Sequence, residues 1–113
     1  MEPYLFAIMV ILVLWLAYNW FAPVKGLRNL NAEQFKKESK GQSMIDVREV
    51  HEFNQGHIPG AINIPLGQLR TRLSEIPKDR PVFLYCRSGM RSRQAGRLLS
   101  RYGYRNMAHL NGG

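Results

Sequence analysis

Apolar and polar positions fall into two unlike regimes along this chain. From Pro3 to Val24 no side chain is charged, and Leu5 to Ala17 is unbroken apolar sequence (LFAIMVILVLWLA). As a helix that stretch measures about 33 Å against a hydrocarbon core of about 30 Å, so the pattern predicts one transmembrane helix over residues 3–24. Tyr4 at one end and Trp15, Tyr18, Trp20 and Phe21 toward the other stand where interfacial aromatics gather. Pro3 and Pro23 bracket the span without interrupting it. Two other readings fit less well. A cleaved signal peptide has a basic start and a small-residue cleavage site, whereas here Glu2 comes first and the far end reads YNWFAP. A core helix that is apolar on every side needs more surrounding protein than the rest of the chain supplies.

From Lys25 the pattern breaks into short periodic segments. Residues 25–30 read as a linker. Asn31 with Gln34 three positions later is a capping-box start, and helix formers follow to about Lys40, where Gly41 ends them. Met44 to Val47 (MIDV) is an apolar run of strand length, and EVHEFNQ adds one or two helical turns closed by Gly56. Ala61 to Ile64 is a second strand. Leu66, Leu69 and Leu73 have helical spacing and stop before Pro77. Val82 to Tyr85 (VFLY) shows no polar alternation, the mark of a central strand. Ala95, Leu98, Leu99 and Tyr102 predict a helix over residues 92–102, with Arg93, Arg97 and Arg101 on its opposite face. NMAHL offers a last strand. Strands alternating with helices predict an α/β domain, a small and mainly parallel sheet flanked by helices and preceded by one transmembrane helix. In such sheets ligands bind beyond the carboxyl ends of strands, which directs attention to the residues after Tyr85.

Composition and charge sharpen this picture. With 113 residues there is room for one small core. A mean hydropathy of −0.28 conceals the crowding of apolar residues at the N-terminus. Lys and Arg number 16 against 8 for Asp and Glu, which excludes an acidic or disordered tail. Every basic side chain lies at or after Lys25, so the rule that positive flanks stay inside predicts a single-pass membrane protein with its domain cytoplasmic. Arg87, Arg91, Arg93, Arg97, Arg101 and Arg105 have no acidic residue among them. They read equally as a face held against anionic lipid headgroups or as a solvated helix face, and nucleic acid is not needed to explain them. The lone Cys86 excludes an internal disulfide framework and suits a reducing compartment. His51 and His57 are six positions apart rather than four, so no metal is expected, nor any other cofactor.

The strand VFLY delivers Cys86 into the loop CRSGMR, and a helix opens at about Ser92. A loop that meets a helix N-terminus turns backbone N–H groups inward and favours an anion. The helix dipole and the cations Arg87 and Arg91 favour a thiolate over a thiol, and Gly89 lets the backbone turn. A buried, inert cysteine is the plainer alternative.

The strings IDVREVHEFNQGHIPGAINIPL (Ile45 to Leu66) and VFLYCRSGMRS (Val82 to Ser92) resemble the single-domain rhodanese family of sulfurtransferases. The likeness runs from about Leu30 to Gly113 and implies a rhodanese-like domain over residues 31–113. In that family the cysteine attacks the outer sulfur of thiosulfate, holds it as a persulfide and passes it to cyanide or a thiol. The resemblance therefore makes Cys86 the sulfur carrier, with a small-molecule or protein sulfur donor and a thiol acceptor as partners. It also implies that the amides of Arg87, Ser88, Gly89, Met90, Arg91 and Ser92 cradle the persulfide and the donor's anionic end. Asp46 and Arg48 follow a strand end and are candidates to flank the pocket, or to form a structural ion pair, with Glu49 and Glu52 as further partners for Arg48. His57 lies in a GHIPG turn and reads as structural. Where the family continues into a last helix this chain ends at Gly113, so the domain is expected without that helix. The terminal Gly-Gly also occurs in ubiquitin-like sulfur carriers, whose fold pattern this sequence does not share.

Two rival functions remain. Rhodanese-like phosphatases also place a Cys and an Arg around an anion loop, but Cys86 and Arg91 enclose four residues, one fewer than the phosphatase pattern. The smaller ring suits a sulfur atom better than a tetrahedral phosphate. The other rival is a membrane-tethered, non-catalytic rhodanese module for binding or redox sensing. The apolar span yields a direct test: the protein is expected to stay in the membrane after an alkaline carbonate wash. In sealed, right-side-out cells, external protease is expected to leave the domain intact; release by the wash refutes a spanning helix.

Overall fold

The computed structural model describes residues 2–112, so Gly113, the expected end of the domain, lies outside them. Helix α1 runs from Pro3 to Phe21, with Pro at its first turn and Ala22 in extended backbone ahead of Pro23. Its 19 residues bury no side chain and are long and apolar enough to cross a membrane.

Five strands form one sheet: β1 (Leu27–Leu30), β2 (Ser43–Asp46), β3 (Ile62–Asn63), β4 (Val82–Tyr85) and β5 (Met107–Leu110). Their order is β1-β5-β4-β2-β3 and every pairing is parallel. β4 lies at the centre, with Leu84 opposite Ile45 of β2 on one side and His109 of β5 on the other. All four of its residues are buried, which is why its sequence lacks polar alternation. The strand β1 occupies residues expected as linker. LRNL carries little strand signal alone and is drawn into the sheet by its register with Met107 to Leu110. Gly26, which precedes it, has φ +82°, and a Cβ there would lie 2.8 Å from the Arg105 Cα, so the entry to β1 is built for glycine.

Helices cover the two sheet faces unequally. On one face α4 (Met90–Arg101) and a 3-10 helix (Leu66–Glu75) bury Leu99, Ala95 and Leu69 against Ile45, Val82, Leu84 and Met107. On the other, α2 (Ala32–Glu38) places Phe35 edge-on to Phe83 and Tyr85, with ring centroids 5.6 and 6.2 Å apart. The capping box expected at Asn31 and Gln34 is formed at 2.8 and 3.1 Å, and α2 ends at Glu38, short of Gly41. α3 (Val50–Asn54) is a single short turn. The segment after Leu66 differs from the regular helix its leucine spacing predicts. It winds as a 3-10 helix with a break at Arg72, whose guanidinium grips Glu75 at 2.7 and 2.8 Å and reaches the Asn63 carbonyl. Leu69 still reaches the core, and that is the part of the pattern burial enforces. Leu84 sits where both neighbouring strands and the helical layer converge, so Leu84→Ala is expected to cost about 2–5 kcal/mol. Val50→Ala, at a half-exposed position, is expected to stay within about 0.5 kcal/mol. Thermal melts of the full chain in detergent micelles distinguish the two.

Candidate active site

β4 ends at Tyr85, and the next residue, Cys86, is turned back under the first turn of α4. Its Sγ accepts the Gly89 N–H at 3.0 Å and the Ser92 N–H at 3.3 Å, while the Ser92 Oγ lies 3.6 Å away. Gly89 makes this possible. It stands at the N-cap of α4 with φ +91°, and a Cβ would meet the Gly112 nitrogen at 3.1 Å, so any side chain there is strained. Burial pushes the Cys86 thiol up, but hydrogen bonds from the Ser92 side chain and from the Ser92, Gly89 and Ser88 amides outweigh it and leave the thiol below its ordinary value. The sequence assigned that lowering to the helix end and to two arginines. The structure gives it to the amides at that helix end and to one hydroxyl, and not to the arginines.

Arg91 turns away from the sulfur to Glu52 of α3, which it binds through both carboxylate oxygens at 2.6 and 3.0 Å. That guanidinium, together with the Glu49 backbone, holds the Glu52 carboxyl down at about 2. Arg48 does not use Glu49 or Glu52. It forks onto the fully buried Asp46 at 2.8 and 3.0 Å and donates to the Gly56 carbonyl, the ion-pair alternative that the sequence left open. The Glu49 N–H donates to the Glu52 Oε1 at 3.0 Å at the start of α3. Arg87 is exposed, and among the described residues it has no ion pair.

A cavity of about 310 Å³ opens over the cysteine, lined by Cys86, Arg87, Arg48, Tyr85, His57 and Leu110 among others. His57 stacks on Phe53 and donates from Nδ1 to the Phe53 carbonyl at 2.9 Å, so its ring is fixed as part of the wall. The Tyr85 hydroxyl accepts the Ile58 N–H, and burial pushes its pKa to about 12, so it stays neutral. Met90 faces solvent at 58% exposure, beside Trp20 and Phe21, outside this cavity. Among the described residues no group of His, Cys, Asp or Glu is placed to hold a metal ion. Sequence reasoning missed Tyr85, Asn29 and His109 as neighbours of the site. Only contacts across the sheet bring Asn29 and His109 there, whereas the placement of Tyr85 next to Cys86 was a usable signal.

The chain matches the rhodanese-like domain family over residues 31–113. The sulfurtransferase of Allochromatium vinosum is 47% identical over 70 residues, which is 62% of this chain and 65% of its own length. Thiosulfate sulfurtransferase PspE of Escherichia coli is 39% identical over 70 residues, which is 60% of this chain and 67% of its own. The chain thus spans about two thirds of the length of either relative. Among solved structures, a rhodanese-related protein from Thermoplasma volcanium superposes with a TM-score of 0.68 at 32% identity, over 75% of this chain and 85% of that one.

The Glu52 carboxyl is lowered on folding, so it stabilises the fold above the unfolded value of about 4.5, and that contribution is lost as pH falls toward about 2. Glu52→Gln is expected to melt below the wild type at neutral pH, and the gap should close between about pH 4.5 and 2. Thermal melts of both proteins across that window read the change; a gap that stays constant counts against the pairing.

Proposed function

Because this chain belongs to the rhodanese-like domain family, we propose that it is a sulfurtransferase in which Cys86 carries sulfane sulfur as a persulfide. The observation that supports this most is the Cys86 Sγ itself, which receives two backbone N–H groups and lies below the ordinary thiol value at the floor of a basic cavity. The thiolate attacks the outer sulfur of thiosulfate. An S–S bond forms to Cys86, the S–S bond within thiosulfate breaks, and sulfite leaves with the electron pair. A thiolate or cyanide then attacks the outer sulfur of the persulfide, and Cys86 departs as the thiolate it was at the start.

Each neighbour has a part in this scheme. The Gly89 and Ser92 amides hold negative charge at Sγ without rearranging, as preorganised dipoles do. Arg87 meets the donor's sulfonate at the mouth, since Arg48 and Arg91 are occupied by carboxylates. The Ser88, Met90 and Arg91 backbones complete the turn, while Asp46 and Arg48 hold the wall opposite it. Domain boundaries at residues 31–113, a helix held in the membrane and a cytoplasmic domain are parts of the same proposal, as are a small-molecule or protein donor and a thiol acceptor. The non-catalytic binding or redox module is the second reading, and the 3% exposure of Cys86 favours it.

Turnover separates the two. The full chain, given thiosulfate and cyanide, is expected to make thiocyanate, and Cys86→Ser to abolish it. Arg87→Ala is expected to raise the thiosulfate KM by about tenfold, the loss of one charge-assisted contact of about 1.5 kcal/mol. Wild-type turnover no faster than Cys86→Ser removes the enzymatic reading.

A further inference from the structure

Behind Cys86, on the side away from the cavity mouth, the hydrogen bonds continue into the core. The Ser92 Oγ is fully buried and lies 2.8 Å from the Nδ1 of His109, itself 3% exposed on β5. The His109 Nε2 meets the Asn29 Oδ1 of β1. An amide oxygen at Nε2 requires a proton there, which leaves Nδ1 as the acceptor in the neutral ring. Ser92 has one hydroxyl proton. It is within reach of the Gly89 carbonyl at 3.1 Å, but the imidazole nitrogen is closer.

The geometry points to His109 as the internal proton acceptor for Cys86, acting through Ser92 as a positioning residue of the proposed sulfur-transfer site. In the thiol state, Cys86 S–H donates to Ser92 Oγ, Ser92 O–H donates to His109 Nδ1, and His109 Nε2–H donates to Asn29. Two proton shifts convert this state to its partner. The S–H bond breaks as a new O–H bond forms on Ser92, and the original O–H bond breaks as an N–H bond forms at Nδ1. The products are a thiolate and an imidazolium, with the hydroxyl now donating to Sγ and Nδ1–H donating to the hydroxyl oxygen. The two hydrogen bonds of Ser92 survive in reversed direction, the bond from His109 to Asn29 is unchanged, and no proton crosses to solvent. That matters for a thiol with almost no exposure, whose nucleophilic form otherwise needs a path for the proton through the mouth.

Two groups with charge or a titratable proton face His109. Cys86 lies beyond Ser92 at the end of β4, and Arg93 approaches from α4. From β1 the facing group is the neutral Asn29, and the register of β4 sets the apolar Leu84 beside it. Burial first, and then the Arg93 charge, push the His109 imidazole below its ordinary value, so the ring is neutral and ready to accept when Cys86 is a thiol. A thiolate at Cys86 is the one nearby charge that favours the imidazolium. Titration of the two groups is therefore coupled.

That coupling is measurable on the full chain in detergent micelles with 13C-labelled histidine, His51 serving as internal reference. The His109 midpoint is expected to lie at least about one pH unit higher in the wild type than in Cys86→Ala, a tenfold coupling. Ser92→Ala, which cuts the chain while leaving both end groups, is expected to bring it down to the Cys86→Ala value. By linkage, His109→Gln should move the pH midpoint of iodoacetamide labelling at Cys86 upward by a similar factor. A His109 midpoint equal in wild type and Cys86→Ala overturns the relay, and this comparison keeps His109 in place even if His109→Gln does not fold. No donor or acceptor enters the measurement. Coupling without thiocyanate formation therefore removes only the sulfur-transfer reading, and turnover without coupling removes only the relay.

Discussion

The candidate site depends on one constraint: a strand buried on both faces must end in a polar group without leaving backbone unpaired. β4 meets it by handing its last carbonyl to its neighbour, since the Val47 N–H donates to the Tyr85 oxygen, and by turning Cys86 under the free N–H groups of α4. Those amides belong to the unsatisfied first turn that every helix has. Here they are satisfied by a sulfur. Gly89 is the hinge of that exchange, because only its left-handed backbone aims its own N–H and those beyond it at Sγ while Gly112 packs behind.

The arginines around the sulfur serve geometry more than charge. Arg91 ties α4 to α3 through Glu52, and Arg48 ties the end of β2 to the Gly56 turn through Asp46 and the Gly56 carbonyl. A half-buried guanidinium without a carboxylate would carry a large desolvation cost, so each cation near the floor of the cavity brings its own anion. Fixed amide dipoles are thus the groups left to lower the Cys86 thiol, and Arg87 stands exposed at the rim without an ion pair among the described residues. The same economy governs the buried polar residues behind the site. Ser92, His109 and Asn29 satisfy one another in a chain, and no buried side-chain nitrogen or oxygen among the described residues lacks a partner.

Helix α4 also joins the site to the apolar helix. Arg93 donates to the Ala22 carbonyl and Arg97 to the Trp20 carbonyl, while Ser100 reaches the carbonyl of Lys25. The carboxyl end of α1 carries unpaired carbonyls and a partial negative charge, so guanidinium groups are its natural caps. The arginine face of α4, which the sequence read as solvated or lipid-facing, is in part engaged with α1. Arg93 touches that helix end and adds to the burial that lowers His109, so the element that opens at the sulfur loop is braced one turn later against the N-terminal helix.

Much of this protein was legible without coordinates. The unbroken apolar run gave α1, VFLY gave the central strand, the Asn31 and Gln34 pair gave the start of α2, and Cys86 before Arg87, Ser88 and Gly89 gave the turn from β4 into α4, because each rests on near-neighbour chemistry: periodicity, capping and turn geometry act within a few residues. What tertiary structure decided lies between residues far apart in the chain. LRNL became a strand only beside β5, and the leucines after Pro65 fell into a 3-10 helix once burial fixed Leu69 and Glu75 fixed Arg72. Arg91 found Glu52, 39 residues back in the chain, rather than the sulfur. His109 in NMAHL looked like any residue of a last strand until the sheet order set β5 between β4 and β1 and brought Ser92 and Asn29 to its two nitrogens. Local sequence fixes which groups a segment offers, whereas the partner of each buried charge or polar atom is chosen by the packing that removes it from water.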